Sequence, residues 1–370
     1  MRLAPAAAAQ LKRRSVSRAA PRPAVIRSTA EFARYVGLSR SAVSRVMNEQ
    51  PGLRQATIDR VRRAIAETGF TPNAHAVHLR GKPSKMIGLC VENLLTPSGV
   101  AKLSELQELL AARGFTVLIE VDRADGSRKL IEHFLSLRVQ GVVFVGHFNP
   151  ELLGERIAGL RRHGVPHLVV DHSGCANAPT VTLDRGAAME EVVAHLHGDG
   201  HRRFGLMGIS GAFQTVADRL DGVRAALRKR GLAFDRCVVA LDHLHVRTDH
   251  FEFGRLLARE FASRRDRPTA FIAVNDETAI GALLEFQSRG LRVPGDLSIV
   301  GFNNQTICQM TTPALTSVDQ QIERTARMAT DLLIGAIDRP LPRLPAMRLI
   351  APQLVVRGST GPAQRRRARG

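Results

Sequence analysis

A chain of 370 residues with 44% apolar residues exceeds one ordinary core, so two or three folding units are expected. No run of about 18 apolar residues occurs, which argues against a membrane-spanning helix. The formal charge of +19 is uneven: residues 1–84 carry 16 Lys and Arg against 4 acids, and the other 286 carry 37 against 30. A near-neutral body behind a basic N-terminal part points to a polyanion partner for that part. Cys90, Cys175, Cys237 and Cys308 are far apart, form no Cys-x-x-Cys pair, and are expected as reduced, mostly buried thiols.

Residues 1–27 are Ala-rich and then basic, and read as a disordered arm rather than a targeting peptide; a cytoplasmic location follows as the expectation. Ser28-Thr29-Ala30-Glu31 has capping-box spacing. Phe32, Ala33 and Val36 share a helical face, Gly37 breaks that helix, and Leu38-Ser39 leads into a second helix from Arg40 to Asn48. Two short helices joined by a Gly turn are the helix-turn-helix arrangement. A third amphipathic helix follows Pro51-Gly52, with Ile58, Val61, Ile65 and Phe70 inward. In the second helix Arg40, Ser41 and Arg45 project opposite Val43 and Val46; Arg bonds guanine bidentately and Ser meets a base or a phosphate. A small bundle with a solvated Arg face is the competing reading.

From Lys85 onward the pattern alternates. Strand-like runs are predicted at 86–91, 115–121, 142–145, 168–171, 204–209, 238–241, 270–274 and 299–302, with helical stretches between most of them. Such alternation predicts doubly wound parallel sheets, and eight strands exceed one small sheet, so two lobes are expected. Ligands then bind beyond the carboxyl ends of the strands, in the cleft between lobes.

Five stretches carry a resemblance to the lac-repressor (LacI/GalR) family of transcription regulators. They are Ala33-x3-Gly37-Leu38-Ser39 with Val43-Ser44-Arg45-Val46-Met47-Asn48, then Gly69-Phe70-Thr71-Pro72-Asn73-Ala74, and the sensor segments Ala217-Asp218-Arg219-Leu220-Asp221-Gly222, Ala273-Val274-Asn275-Asp276-Glu277 and Val300-Gly301-Phe302-Asn303-Asn304. The resemblance covers Ser28 to about Arg357. It implies an α/β protein: an all-α helix-turn-helix headpiece (28–71), a hinge helix and linker (72–84), and a two-lobed periplasmic-binding-protein-like sensor (85–357), followed by a basic disordered tail (358–370). It places the lobe crossings at Asp171 to about Arg185 and at Ala314 to Gln320. By its place in the pattern, Leu79 is the hinge residue that wedges into the minor groove. The DNA-facing set expected is Ser28, Thr29, Arg40, Ser41, Ser44, Arg45, Asn48, Asn73, Leu79 and Arg80. The effector set expected is Asn93, Asp171, Arg219, Asn275, Asp276 and Asn303.

Partners implied by the resemblance are near-palindromic double-stranded operator DNA, a small polar effector (a sugar or sugar acid) and a second copy of the chain. The tail lacks leucine heptads, so a dimer is expected rather than a tail-zipped tetramer. The chain departs from the family where relatives carry Asp-x-x-Asn-Pro-Phe-Phe: here stands Glu92-Asn93-Leu94-Leu95-Thr96-Pro97-Ser98. Asn303 also replaces a common Asp, and loss of that charge tolerates an acidic ligand better, so a sugar acid or phosphorylated sugar stands at least level with a neutral sugar. An enzyme is not expected: Gly205-x2-Gly208-x2-Gly211 lacks phosphate-loop and dinucleotide spacing, and Gly208-Ile209-Ser210-Gly211 is no nucleophile elbow. No cofactor fingerprint is present, and no metal site is expected from His195, His197 and His201. A stand-alone sugar-binding sensor without specific DNA binding is the alternative, and it leaves residues 28–82 unexplained.

Overall fold

The computed structural model describes residues 26, 28–47, 50–70, 84–92, 94–122, 127–172, 178–209, 214–241, 249–339 and 347–364. The chain divides into two units, Met1–Pro83 and Ser84–Gly370.

In the first unit, α1 (Thr29–Val36), α2 (Arg40–Met47) and α3 (Gln55–Thr68) pack around one small core. The expected capping geometry is present: Glu31 N–H donates to Ser28 Oγ at 3.2 Å. Gly37 then takes a φ of +66°, which lets its N–H reach the last carbonyls of α1 and turn the chain. Ser39 starts α2 by accepting from Ala42 N–H at 3.1 Å. Phe32 and Phe70 stack at 4.4 Å, closing the bundle over Val36, Val43, Val46 and Val61.

The second unit contains two six-stranded sheets among the described residues. The first sheet holds β1 (Met86–Val91), β2 (Thr116–Val121), β3 (Gly141–Val145), β4 (His167–Val170), β5 (Thr180–Leu183) and, from far along the chain, β11 (Met347–Ile350). Their order is β11-β5-β4-β3-β1-β2, all parallel. The second holds β6 (Phe204–Met207), β7 (Val238–Ala240), β8 (Ala270–Ala273), β9 (Ser298–Asn303), β10 (Thr316–Asp319) and β12 (Gln353–Val355) in the order β12-β10-β9-β8-β6-β7. Only β12 runs antiparallel, against β10.

The helices are α4 (Pro97–Ala112), α5 (Ser127–Ser136), α6 (Pro150–Arg162), α7 (Arg185–Gly198), α8 (Gln214–Lys229), α9 (Phe234–Cys237), α10 (His250–Ser263), α11 (Asp276–Ser288) and α12 (Ile322–Asp338). The chain leaves the first sheet after Leu183, returns to it after Asp319, and passes back between Ile350 and Gln353. Each expected crossing segment thus contributes a strand, β5 or β10, before it crosses, and a third crossing exists that the sequence pattern did not announce.

The tail needs one correction. Residues 358–364 were expected to begin a disordered tail, but they pack on the second sheet. Ser359 is fully buried; its Oγ accepts from Thr316 N–H at 2.8 Å and donates to the Ile299 carbonyl at 2.6 Å, while Ile299 N–H donates back to the Ser359 carbonyl at 2.9 Å. Polar Gly-Ser-Thr composition concealed a segment whose Ser359 and Thr360 hydroxyls and Gly361 backbone have internal partners. Cys90 and Cys308 are buried and Cys237 is half-buried, while Cys175 lies outside the described residues. No described helix is long and apolar enough to cross a membrane.

Candidate functional site

Two surfaces bear on function, one in each unit. On the headpiece, Val43 and Val46 turn into the core, so α2 presents Arg40 and Ser41 to solvent. Arg34, Arg54, Arg60, Arg62 and Arg63 are also exposed. Arg45 is half-buried and donates to the Pro51 carbonyl at 3.0 Å, which ties α2 to the following turn. Ser28 is occupied as the cap of α1; Thr29 and Ser44 are half-buried beside it and along α2. Asn48, Asn73, Leu79 and Arg80 lie outside the described residues, as does Asn93 in the second unit.

In the second unit, the carboxyl ends of the parallel strands form the rim expected for a ligand. Asp171 follows β4 directly and Asn303 ends β9. Both have positive φ, +64° and +118°, a backbone state that Asp and Asn tolerate better than most residues and that concentrates at functional rims. Lys102 of α4 donates to Asp171 Oδ2 at 2.5 Å and to Gln320 Oε1 at 2.7 Å. Arg185, the first residue of α7, donates to the other oxygen, Asp171 Oδ1, and also to Thr182 Oγ1 at 2.8 Å. Gln320 in turn donates to Asn303 Oδ1. A single chain of bonds thus runs from α4 and β4 through the crossing residues to β9 in the second sheet.

Arg219 projects from α8 and is 6% exposed. It donates to the Val274 carbonyl at 2.6 Å, and its Cζ lies 3.7 Å from the centroid of the Phe302 ring. Among the described residues it has no carboxylate within ion-pair distance, and its Nε is buried without a partner. Burial, reinforced by the nearby Arg185, pushes the guanidinium down to about 9. Burial also pushes Lys102 down, with Asp171 opposing. Burial alone would raise Asp171, but Lys102 and Arg185 hold its carboxyl well below the usual carboxylate range. His147, beyond β3, is lowered to about 4 by burial, and Arg185, Lys102 and Arg219 push the same way.

Asn275 and Asp276 behave differently from expectation. Asn275 caps α11, its Oδ1 accepting from Thr278 N–H at 2.9 Å. Asp276 is fully buried and accepts from Ser317 Oγ at 2.6 Å and Gln305 N–H at 2.9 Å, so it staples β10 and the loop after β9 rather than facing a ligand. Burial raises its carboxyl to about 6.

Lys102, Arg185 and Gln320 were absent from the expected set. The first two were detectable. Lys102 stands on the stripe of Leu103, Leu106 and Leu110, and Arg185 on that of Ala188, Met189, Val192 and Leu196. A cation on an otherwise apolar helix face is an anomaly that asks for a partner. Of the histidines, His195 meets Thr360 Oγ1 at 2.8 Å, and His201 meets Thr269 and Ser298 at 2.9 and 3.0 Å, so each serves packing of the second lobe.

Comparison with known proteins finds two family descriptions in this chain: "Bacterial regulatory proteins, lacI family" over residues 30–73 and "Periplasmic binding protein-like domain" over residues 193–360. The HTH-type transcriptional regulator MalR of Streptomyces coelicolor is 30% identical over 92% of this chain and 98% of its own length. A crystal structure of the lac repressor dimer bound to operator and the anti-inducer ONPF matches with a TM-score of 0.80 at 22% identity, covering 90% of this chain and 99% of that one. A complex of the transcriptional regulator CelR with cellobiose matches with a TM-score of 0.64 at 25% identity, covering 90% and 100%.

Proposed function

The chain belongs to the lacI family of bacterial regulatory proteins, and from that premise we propose that it is a DNA-binding transcription regulator, acting as a repressor, whose hold on a near-palindromic operator is set by a small polar effector between its two lobes. It is not an enzyme. The carrying observation is the pairing of a helix-turn-helix unit bearing exposed Arg40 and Ser41 with a two-sheet sensor whose lobes share the Lys102–Asp171–Arg185 cluster. Arg40, Ser41 and Arg45 read base edges in the major groove, and Arg45 exchanges its Pro51 bond for a base or phosphate. Ser28, Thr29, Ser44, Asn48, Asn73 and Arg80 position the headpiece on the backbone. Residues 1–27 add salt-sensitive, sequence-blind affinity. The protein works as a homodimer in the cytoplasm, because a two-fold site asks for two headpieces, and paired segments 72–84 set two Leu79 side chains at the operator centre.

The effector contacts are Arg219, Asn303 and Asp171; Asn93, outside the described residues, joins them on the family pattern alone. The lac repressor neighbour was solved with operator and an anti-inducer and the CelR neighbour with cellobiose; both support a small polar ligand here. Lobe closure changes the relation of Asp171, Arg185 and Gln320 at the crossings, and through the dimer biases the segment bearing Leu79. The coupling is reciprocal: an effector that loosens DNA is itself bound less tightly on DNA. Leu79→Ala tests the assignment. Operator affinity falls, by about tenfold or more, while ligand affinity of the free protein is unchanged; equal loss of both contradicts it.

A further inference from the structure

We propose that the effector is an anion, a carboxylated or phosphorylated small polyol whose acid group is received by Arg219 together with Lys102 and Arg185. This rests on the reading of the cleft as the effector site. Three buried cations share the cluster with one buried carboxylate, Asp171, and that carboxylate already accepts from two of them. The remaining acids nearby do not restore the balance. Asp276 is turned to Ser317 and Gln305, and Asp218, next to Arg219 along α8, is half-buried and bonded by Gln214.

Hydrogen-bonding capacity points the same way. Each side-chain oxygen of Asp171 and Asp276 already accepts a bond, as do the Oδ1 of Asn303 and of Asn275, and among the nearby acids the Oε2 of Glu277 is buried without a partner. Donors are left over, with Arg219 Nε and Arg185 Nε buried and unpartnered among the described residues. The acid group of a carboxylated or phosphorylated polyol takes donors alone, and these unpartnered guanidinium N–H groups suit it. A buried guanidinium without an acid is costly to keep, and an incoming anion removes that cost. At the place where relatives commonly carry Asp, Asn303 keeps the Gln320 bond without adding a negative charge.

The test is thermal melting and calorimetric titration of the full-length protein with D-glucose, D-gluconate, D-glucose 6-phosphate and inorganic phosphate, at ionic strength held constant with KCl. At least one anion protects the protein and glucose does not; gluconate alone identifies a sugar acid, and the phosphates alone identify a phosphorylated ligand. Two variants check the locus. Arg219→Gln removes the cation that has no carboxylate partner among the described residues, and Asn303→Asp adds one charge while keeping an acceptor for Gln320. Each lowers anion affinity about tenfold or more, as one charge does across a partly dry site. Glucose protecting as well as the anions, no anion exceeding KCl, or variants that bind anions like the parent each overturn the proposal. Operator selection on the same preparation separates the two levels: a recovered DNA site with silent anions sinks the ligand class alone, and anion binding without a DNA site sinks the regulator reading.

Discussion

Lys102 Nζ lies 2.5 Å from Asp171 Oδ2, with both side chains almost wholly out of water. The pair is lopsided, because Arg185 takes the other oxygen of the same carboxylate. Removing one partner therefore has unequal effects. Lys102→Met leaves Asp171 matched to Arg185, whereas Asp171→Asn strands two buried cations. Breaking a buried pair with nothing in its place costs about 3–5 kcal/mol. Asp171→Asn is expected in that range and Lys102→Met at less than half of it, with the double variant recovering part of the Asp171→Asn loss. Urea midpoints of the three proteins check this order, and equal losses from the two single variants contradict the shared-carboxylate geometry.

Arg219 carries the opposite expectation for stability. Its bond to the Val274 carbonyl and its seat on the Phe302 ring offset, but do not exceed, the cost of burying an unmatched charge. Arg219→Met is thus expected to change unfolding free energy by no more than about 1 kcal/mol in the unliganded protein. The same variant abolishes effector response and leaves operator affinity intact. A variant that still releases DNA at normal effector concentration removes Arg219 from the site.

His147 gives an acid-side signature. Burial lowers its ring from the ordinary 6.5 to about 4, so the unfolded chain takes up the proton first as pH falls. The stability it contributes is complete above about pH 6.5 and is lost between there and about pH 4. Asp276, raised from 3.8 to about 6, works in the opposite sense: its burial costs most above pH 6 and is relieved by acid. The difference between parent and His147→Gln isolates the first effect. Unfolding curves at pH 7 and 4.5 should show the parent losing ground to the variant on acidification; a constant difference contradicts a half-buried ring kept neutral by the fold.

The C-terminal segment is a structural part of the second lobe. Deleting residues after Arg357 removes Ser359, Thr360 and Gly361 from their partners on β9, β10, α7 and the turn that follows it, including the 3.1 Å contact of His201 Nε2 with the Gly361 carbonyl. At about 1 kcal/mol for each net hydrogen bond, the truncation costs about 3–5 kcal/mol, and Ser359→Ala alone about 1–3. Denaturant unfolding of both variants checks the figure; a truncation as stable as the parent refutes the packing role.

Much of this was legible because periodicity is a physical signal. The eight predicted strand runs all coincide with observed strands to within a residue or two at either end, since each is an apolar run; most are buried, while β2 and β7 at the sheet edges are half-buried or exposed. Thr180–Leu183, Thr316–Asp319, Met347–Ile350 and Gln353–Val355 were not foreseen. They are three or four residues long, half polar or exposed, and paired by chain returning from another lobe, which no local window contains. The rim positions Asp171, Arg219 and Asn303 followed from strand ends and the family pattern. Lys102 and Arg185 stand out in the sequence as cations on apolar helix stripes, but that they share Asp171 is set by the fold alone. Asp276 was expected as an effector contact because it follows a strand end and matches the family pattern; its actual partners, Ser317 and the Gln305 N–H, are distant in sequence.

The central claim, that headpiece and hinge read a specific duplex, is tested most directly by selecting bound fragments from a randomised DNA pool with the purified full-length protein at near-physiological salt. The account predicts recovery of a two-fold symmetric site with a deformable centre, lost on Arg40→Ala. Recovery of only sequence-blind, salt-sensitive binding would contradict it, leaving the basic arm as the source of affinity.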